Sequence, residues 1–334
     1  MSVRPETRPE TDPVLHERLV PAVGRSYFPI ALAARLPYAM MVVGVLTLVV
    51  AARGSMTLGG INSAVVGAGT ALVGPLIGAA VDRWGQRPVL LVVGIVNCVS
   101  LLVMSWVVFT TLPDWAVLVT AFAIGASAPQ VGPMSRSRLV ALIGRAIVPG
   151  RRAPVFNATM SYESGADEIV FVFGPVIVGL LATANPVAPV VGAAVLTGVF
   201  VGAFALHPSA RVARGTASTD TGSEPARAPA TALLAPRLLV LVLGVLGIGL
   251  MFGTVLTSLT AVMEDLGHTG QAGLIYGTMG VGSAVLALSV GRFPASFSLR
   301  SRWVWFAAVM VAGVIGYAVA PSLGLITVAL LVTG

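Results

Sequence analysis

Long apolar runs separated by short polar turns dominate the chain. A membrane-spanning helix needs about 20 mostly apolar residues. Nine runs reach that length and predict spans 1 to 9 at residues 28–51, 57–80, 88–109, 115–135, 162–183, 187–206, 237–262, 271–290 and 303–320. A tenth run begins near Leu323 and reaches Gly334 after twelve residues, about 18 Å of helix. We therefore expect an all-α multispanning membrane protein whose sequence is truncated at its carboxyl end.

The arginines alternate between the two ends of these spans. They occupy the amino-terminal segment and the turns after spans 2, 4, 6 and 8, whereas only Arg53 lies on the other side. Arginine accumulates in the cytoplasmic loops of membrane proteins. The pattern predicts a multi-pass protein of a bacterial plasma (inner) membrane with a cytoplasmic amino terminus.

Composition supports the membrane class and excludes others. Apolar residues make up 56% of the chain and charged residues 10%, against roughly 25% charged residues in soluble domains. The net charge of +7 comes from arginines in short turns, so we expect a lipid bilayer and no nucleic acid as partner. Cys98 is the only cysteine, and the three histidines lie in different loops. We expect no enzyme, no metal site and no cofactor.

One polar stretch interrupts the short-turn rhythm. Residues 207–236 are rich in Ala, Ser, Thr, Gly, Pro and Arg, a composition that cannot pack a core. We predict a flexible cytoplasmic linker there. It would separate a six-span half, residues 28–206, from a partial second half, residues 237–334, with residues 1–27 as a cytoplasmic tail.

The turn between spans 2 and 3 carries the most distinctive motif. It resembles the signature loop G-x-L-A-D-R-x-G-R-R of the major facilitator superfamily (MFS), although Ala80 and Gln86 depart from it. The matching residues are Gly78, Asp82, Arg83, Gly85 and Arg87. The resemblance implies a fold of six plus six helices built from inverted three-helix repeats, of which this sequence holds about 9.5 of 12. It also implies that Asp82 is a gating charge.

Charged residues inside the apolar runs are costly and often functional. Arg35 lies in span 1, and Glu163, Asp167 and Glu168 lie in the first predicted turns of span 5. Glu163 and Asp167 share a helix face, whereas Glu168 points roughly 100° away. Since helices 1 and 5 are neighbours in the MFS fold, we predict an ion pair between Arg35 and Glu163 or Asp167. Independent solvation of these charges is the alternative.

Proton transfer through Asp167 or Glu168 is a further hypothesis, and a structural or gating role is the alternative. In span 5, Gly174 and Pro175 resemble the Gly-Pro core of a motif found in MFS proton antiporters. That resemblance favours export over uptake, while a kinked packing site is the alternative. In span 4, prolines interrupt the helix near Gln130, the polar side chain that we expect to reach a cavity or to bond a neighbouring backbone.

These observations predict a secondary active transporter of a small-molecule substrate, exporting it in exchange for protons by alternating access. We expect a monomer. An uptake permease of the same fold and a non-transporting membrane sensor or scaffold remain the alternatives.

Overall fold

The computed structural model describes residues 15–212, 235–267, 272–289, 293 and 296–334, and the regular structure of this part of the chain is helical. Ten helical segments correspond to the predicted spans. In order they are span 1, Tyr27–Ala33 and Leu36–Arg53; span 2, Met56–Trp84; span 3, Gln86–Val107; span 4, Asp114–Ala126 and Val131–Ala146; span 5, Arg152–Ala184; span 6, Ala188–Leu196, Thr197–Val201 and Gly202–Leu206; span 7, Pro236–Asp265; span 8, Ala272–Ser289; span 9, Leu299–Val319; and span 10, Leu323–Thr333.

Eight of these segments, spans 1 to 7 and span 9, are long and apolar enough to cross a bilayer. Spans 8 and 10 contain shorter apolar helices, Ala272–Leu286 and Leu323–Thr333. The predicted all-α multispanning fold is therefore confirmed for the described residues.

The boundary between spans 4 and 5 was predicted wrongly. The apolar run of span 4 ends near residue 135, but its helix continues to Ala146, and span 5 begins at Arg152 rather than at residue 162. Polar residues end an apolar run without ending a helix, because side chains beyond the hydrocarbon layer can be charged. Glu163 therefore lies about three turns inside its helix, not in the first turn.

Two of the spans are broken. Span 1 is interrupted at Ala34 and Arg35, just before Pro37. Span 4 is interrupted between Ala126 and Val131, where Pro129 supplies no backbone N–H and disfavours the helical conformation of the residue before it. Each break carries a polar side chain: Arg35 is buried, and Gln130 is partly buried.

Part of the predicted amino-terminal tail packs against span 4. Residues Leu19–Val23 form a short helix whose buried side chains Leu19 and Val23 join a cluster with Leu139 and Ile143 of span 4. The His16 N–H donates to the Ala146 carbonyl at 2.7 Å, and the Val148 N–H donates to the His16 carbonyl at 3.2 Å. The predicted tail is thus folded from residue 15 onward.

The first residues of the predicted linker also have defined structure. His207 and Ser209 are buried against the bundle, and Ser209–Val212 is a helical turn. The rest of the predicted linker, residues 213–234, lies outside the described residues.

Spans 5 and 8 form the main contact between the first six spans and the remaining ones. Side chains built at Gly273 and Gly277 would lie 3.1 Å from the Pro175 carbonyl and 3.5 Å from a Val176 methyl group. We call the end of the bundle that carries the start of span 1 and the turns after spans 2 and 4 the amino-terminal face.

Candidate functional site

A buried ion pair joins the first and fifth spans. Arg35, only 4% exposed, donates from Nη2 to Oε2 of Glu163, which is completely buried. Its Nη1 lies 3.4 Å from Oδ1 of Asp167. The predicted ion pair is therefore present, and it involves both of the carboxylates that were weighed as alternatives.

Span 4 contributes a second guanidinium to this charge network. Arg136 pairs through Nη2 with Oδ2 of Asp167, and both side chains are a little over 40% exposed. Sequence reasoning missed Arg136 because it placed this residue in a loop. Asp167 is thus held between two arginines from two different spans.

Hydroxyl groups connect Glu163 to the start of span 1. Ser135 donates from Oγ to Oε1 of Glu163 at 3.0 Å, and the Tyr27 hydroxyl lies 2.8 Å from the same Oγ. Since Ser135 has a single hydroxyl proton and donates it to the carboxylate, Tyr27 is the donor to Ser135. Both Glu163 oxygens are thus satisfied by groups on other spans.

Glu168 is separate from this network. Within the part of the chain that the structure describes, it forms neither an ion pair nor a hydrogen bond. Together with Asp167 it lines a cavity of ≈ 180 Å³ between span 5 and the second group of spans. The residues that complete the lining are Phe171, Phe252, Met279, Ser283 and Gly334.

The signature loop forms a tight turn at the amino-terminal face. Gly85 has φ 87° and ψ 160°, a conformation that is essentially restricted to glycine. Asp82, Arg83 and Arg87 are exposed, and the Arg83 guanidinium lies 5.8 Å from the ring centroid of Trp84. A side chain built at Gly78 meets nothing within 4 Å, so among described residues this glycine is not a packing site. The gating role of Asp82 stays a prediction.

Gln86, which departs from the signature, is the buried polar residue of this loop. Its Nε2 donates to the Met134 carbonyl at 3.2 Å and to Ser137 Oγ at 3.0 Å. Its Oε1 accepts from Nε of Arg138 at 3.0 Å. The departure from the usual basic residue therefore supplies both a donor and an acceptor that fasten the loop to span 4.

Arg138 is completely buried, and sequence reasoning missed it. Its Nη1 donates to the Phe204 carbonyl at 3.0 Å and to Ser209 Oγ at 3.2 Å, and its guanidinium lies 4.0 Å from the Phe204 ring centroid. Arg138 therefore ties the turn after span 2 to the end of span 6. A signal was present in its spacing, because Ser135 and Arg138 lie on one face of a continued helix.

His207 completes this second cluster. Its Nδ1 lies 2.9 Å from Ser209 Oγ and accepts from the Ser209 N–H at 3.3 Å, while Nε2 lies 3.3 Å from Ser26 Oγ. Burial, and then the nearby Arg138 charge, lowers the pKa of His207. The geometry is that of a neutral imidazole with its proton on Nε2.

The remaining predicted site residues have packing contacts. A side chain built at Gly174 would lie 2.5 Å from Cβ of Ala39, so spans 5 and 1 cross closely beside Pro175. Gln130 donates from Nε2 to the Ala128 carbonyl at 3.4 Å, and its cavity role remains a prediction. Among the described residues, no three His, Cys, Asp or Glu side chains are placed to hold a metal ion.

Comparison with known proteins agrees with this architecture. No curated protein matches the chain. The sequence profile of the Major Facilitator Superfamily matches residues 27–334, from the first residue of span 1 through span 10. The chain therefore belongs to the Major Facilitator Superfamily, a family of multi-pass membrane proteins that are secondary transporters.

Proposed function

We propose that this protein exports a small solute in exchange for protons by alternating access. We further propose that it is a monomer in a bacterial plasma membrane with its amino terminus in the cytoplasm, as the arginine distribution favours. The charge network of Arg35, Glu163, Asp167 and Arg136 is the observation that carries the proton coupling. The Gly174-Pro175 pair supports export over uptake.

Asp167 is the member of this network best suited to exchange a proton. Its side chain is 42% exposed, whereas that of Glu163 is completely buried. Protonation of Asp167 would remove its charge and release Arg136 and, in part, Arg35. Because these residues lie on spans 1, 4 and 5, a proton at this site would change the contacts between three helices of one half. Because the protonated and unprotonated forms would make different contacts, protonation could shift the equilibrium between two conformations of the protein.

Flux measurements in proteoliposomes test the proposal. Purified protein would be given a panel of hydrophobic cations, neutral amphiphiles and small metabolites, with and without an imposed pH gradient. We expect accumulation of at least one solute on the side with more protons, and we expect Asp167→Asn to abolish the effect of the gradient while solute exchange continues. Asp114→Asn, which changes an exposed carboxylate near Arg53, is the matched control.

The alternatives give different results in the same assay. Solute moving with the protons would establish an uptake permease instead. Flux that ignores the gradient would exclude proton coupling for the solutes tested, and the absence of flux for every solute would favour a sensor or scaffold.

A further inference from the structure

The cavity beside Glu168 lies where the two groups of spans meet. Asp167, Glu168 and Phe171 come from span 5, whereas Phe252 comes from span 7 and Met279 and Ser283 come from span 8. A ligand in this cavity would touch both groups at once. Such contact is required of any ligand whose binding depends on how the two groups are arranged.

Among the described residues, Glu168 has no ion-pair or hydrogen-bond partner in this cavity. The guanidiniums of Arg35 and Arg136 pair with the other two carboxylates of span 5, Glu163 and Asp167. The buried guanidinium of Arg138 bonds Gln86, Phe204 and Ser209 near the amino-terminal face. Glu168 is partly exposed in this cavity, and a bound cation would supply the opposite charge that it lacks among the described residues.

The aromatic residues that line the cavity suit an organic cation. Phe171 and Phe252 both line it, and their ring centroids lie 5.2 Å apart. Aromatic faces attract cations through their electron-rich centres. The Met279 thioether adds a polarizable surface, and Ser283 adds one hydroxyl group.

The size of the cavity limits the ligand. Its volume of ≈ 180 Å³ is below the roughly 300 Å³ at which pockets for drug-sized ligands begin. A small cation with one aromatic ring or a few alkyl groups is the matching class, whereas large multi-ring cations are not.

We infer that Glu168, Phe171 and Phe252 form a binding site for a small monovalent organic cation, with Glu168 as its counter-charge. The inference rests on the proposed transport function in one respect only: that function would make this cation the transported solute. Binding itself is a separate property and can be measured without transport.

Equilibrium binding of phenyltrimethylammonium to the purified full chain in lipid nanodiscs tests the site. Its uncharged isostere tert-butylbenzene serves as the competitor that differs only in charge. We expect saturable binding, at least tenfold weaker binding to Glu168→Gln, and recovery to within a few fold in Glu168→Asp. Phe252→Leu should weaken binding several fold, and Glu264→Gln, at an exposed carboxylate of span 7, should bind like the wild type.

Several results would overturn the inference. These are no saturable binding by the wild type, equal affinity of Glu168→Gln and wild type, or equal competition by tert-butylbenzene. Elution profile and melting temperature would establish that each variant is folded. If Glu168→Gln does not fold, the Glu168→Asp variant, which keeps the carboxylate but shortens the side chain, still tests the site. Binding without flux would refute the transport proposal alone, whereas gradient-driven flux with unchanged Glu168→Gln affinity would refute this inference alone.

Discussion

Glu163 is a single residue on which three spans depend. Its carboxylate is completely buried, pairs with Arg35 of span 1 and accepts a hydrogen bond from Ser135 of span 4. Removing one partner of a buried pair costs about 3–5 kcal/mol, because the other charge is left without compensation. Exposed pairs contribute about 0–1 kcal/mol.

We therefore expect Glu163→Gln to lower the free energy of unfolding by about 3 kcal/mol. Asp114→Asn removes an exposed ion pair with Arg53. Its charged atoms lie 3.7 Å apart, and the Asp114 side chain is 61% exposed. That control should change the free energy by less than about 1 kcal/mol. Denaturant titration in mixed micelles measures both variants. Equal losses would mean that the buried pair adds no stability of its own.

His207 gives the bundle a pH dependence at the residue scale. Burial and Arg138 lower the pKa of His207 in the folded protein below the ordinary value of 6.5. Between these two values the unfolded chain binds more protons, so stability present above about pH 6.5 is lost as the pH falls through this range. Protonating Nδ1 would also break its bond from the Ser209 N–H.

We expect the melting temperature to fall between pH 8 and pH 5.5 by more in the wild type than in His207→Asn. The asparagine oxygen can accept the same bond at either pH. His16→Asn, at the other described histidine, should keep the wild-type pH response. An unchanged response in His207→Asn would show that other groups carry the dependence.

At the scale of elements, Gly78 near the end of span 2 and Gly85 in the turn that follows have different structural roles. Gly85 adopts a backbone conformation that other residues avoid, while Gly78 lies inside the helix of span 2 with open space around it. Gly85→Ala should lower the free energy of unfolding by about 1–3 kcal/mol. Gly78→Ala should raise it by up to about 1 kcal/mol, because alanine favours the helix.

The free energies of unfolding of the two alanine variants, measured by thermal or denaturant unfolding, distinguish these structural roles. If both destabilise equally, the turn does not depend on the backbone conformation of Gly85.

Element existence could be predicted from the sequence, but element ends could not. The apolar runs located ten spans because bilayer thickness sets their length. The helices around Arg136, Arg138 and Arg152 continue beyond that layer, where apolar periodicity no longer marks them. For the same reason the Arg35–Glu163 pair could be predicted from charges inside apolar runs, while Arg136 and Arg138 were assigned to a loop.

At the scale of the whole molecule, the proposed alternating access would change the contact between spans 5 and 8. A side chain at Gly277 would lie 3.5 Å from a Val176 methyl group. In a Cys98→Ala background, oxidation of the Val176→Cys, Gly277→Cys pair should abolish solute flux in proteoliposomes, and reduction should restore it.

A cross-link within the first six spans is the matched control for this experiment. A Cβ at Gly44 would lie 3.4 Å from Cβ of Pro189, close to the spacing found in disulfides. The oxidised Gly44→Cys, Pro189→Cys pair should still transport. Full flux through the oxidised span 5–span 8 pair would show that the halves do not separate along this contact.

The docking of His16 against Ala146 and Val148 also sets an order of events during biosynthesis. Its backbone partners are synthesised about 130 residues later, on the order of ten seconds at ordinary elongation rates. The amino-terminal segment must therefore wait undocked while the first four spans are inserted. During that interval Leu19 and Val23 have no partners in span 4, so this segment completes its fold only after the helix that receives it has been made.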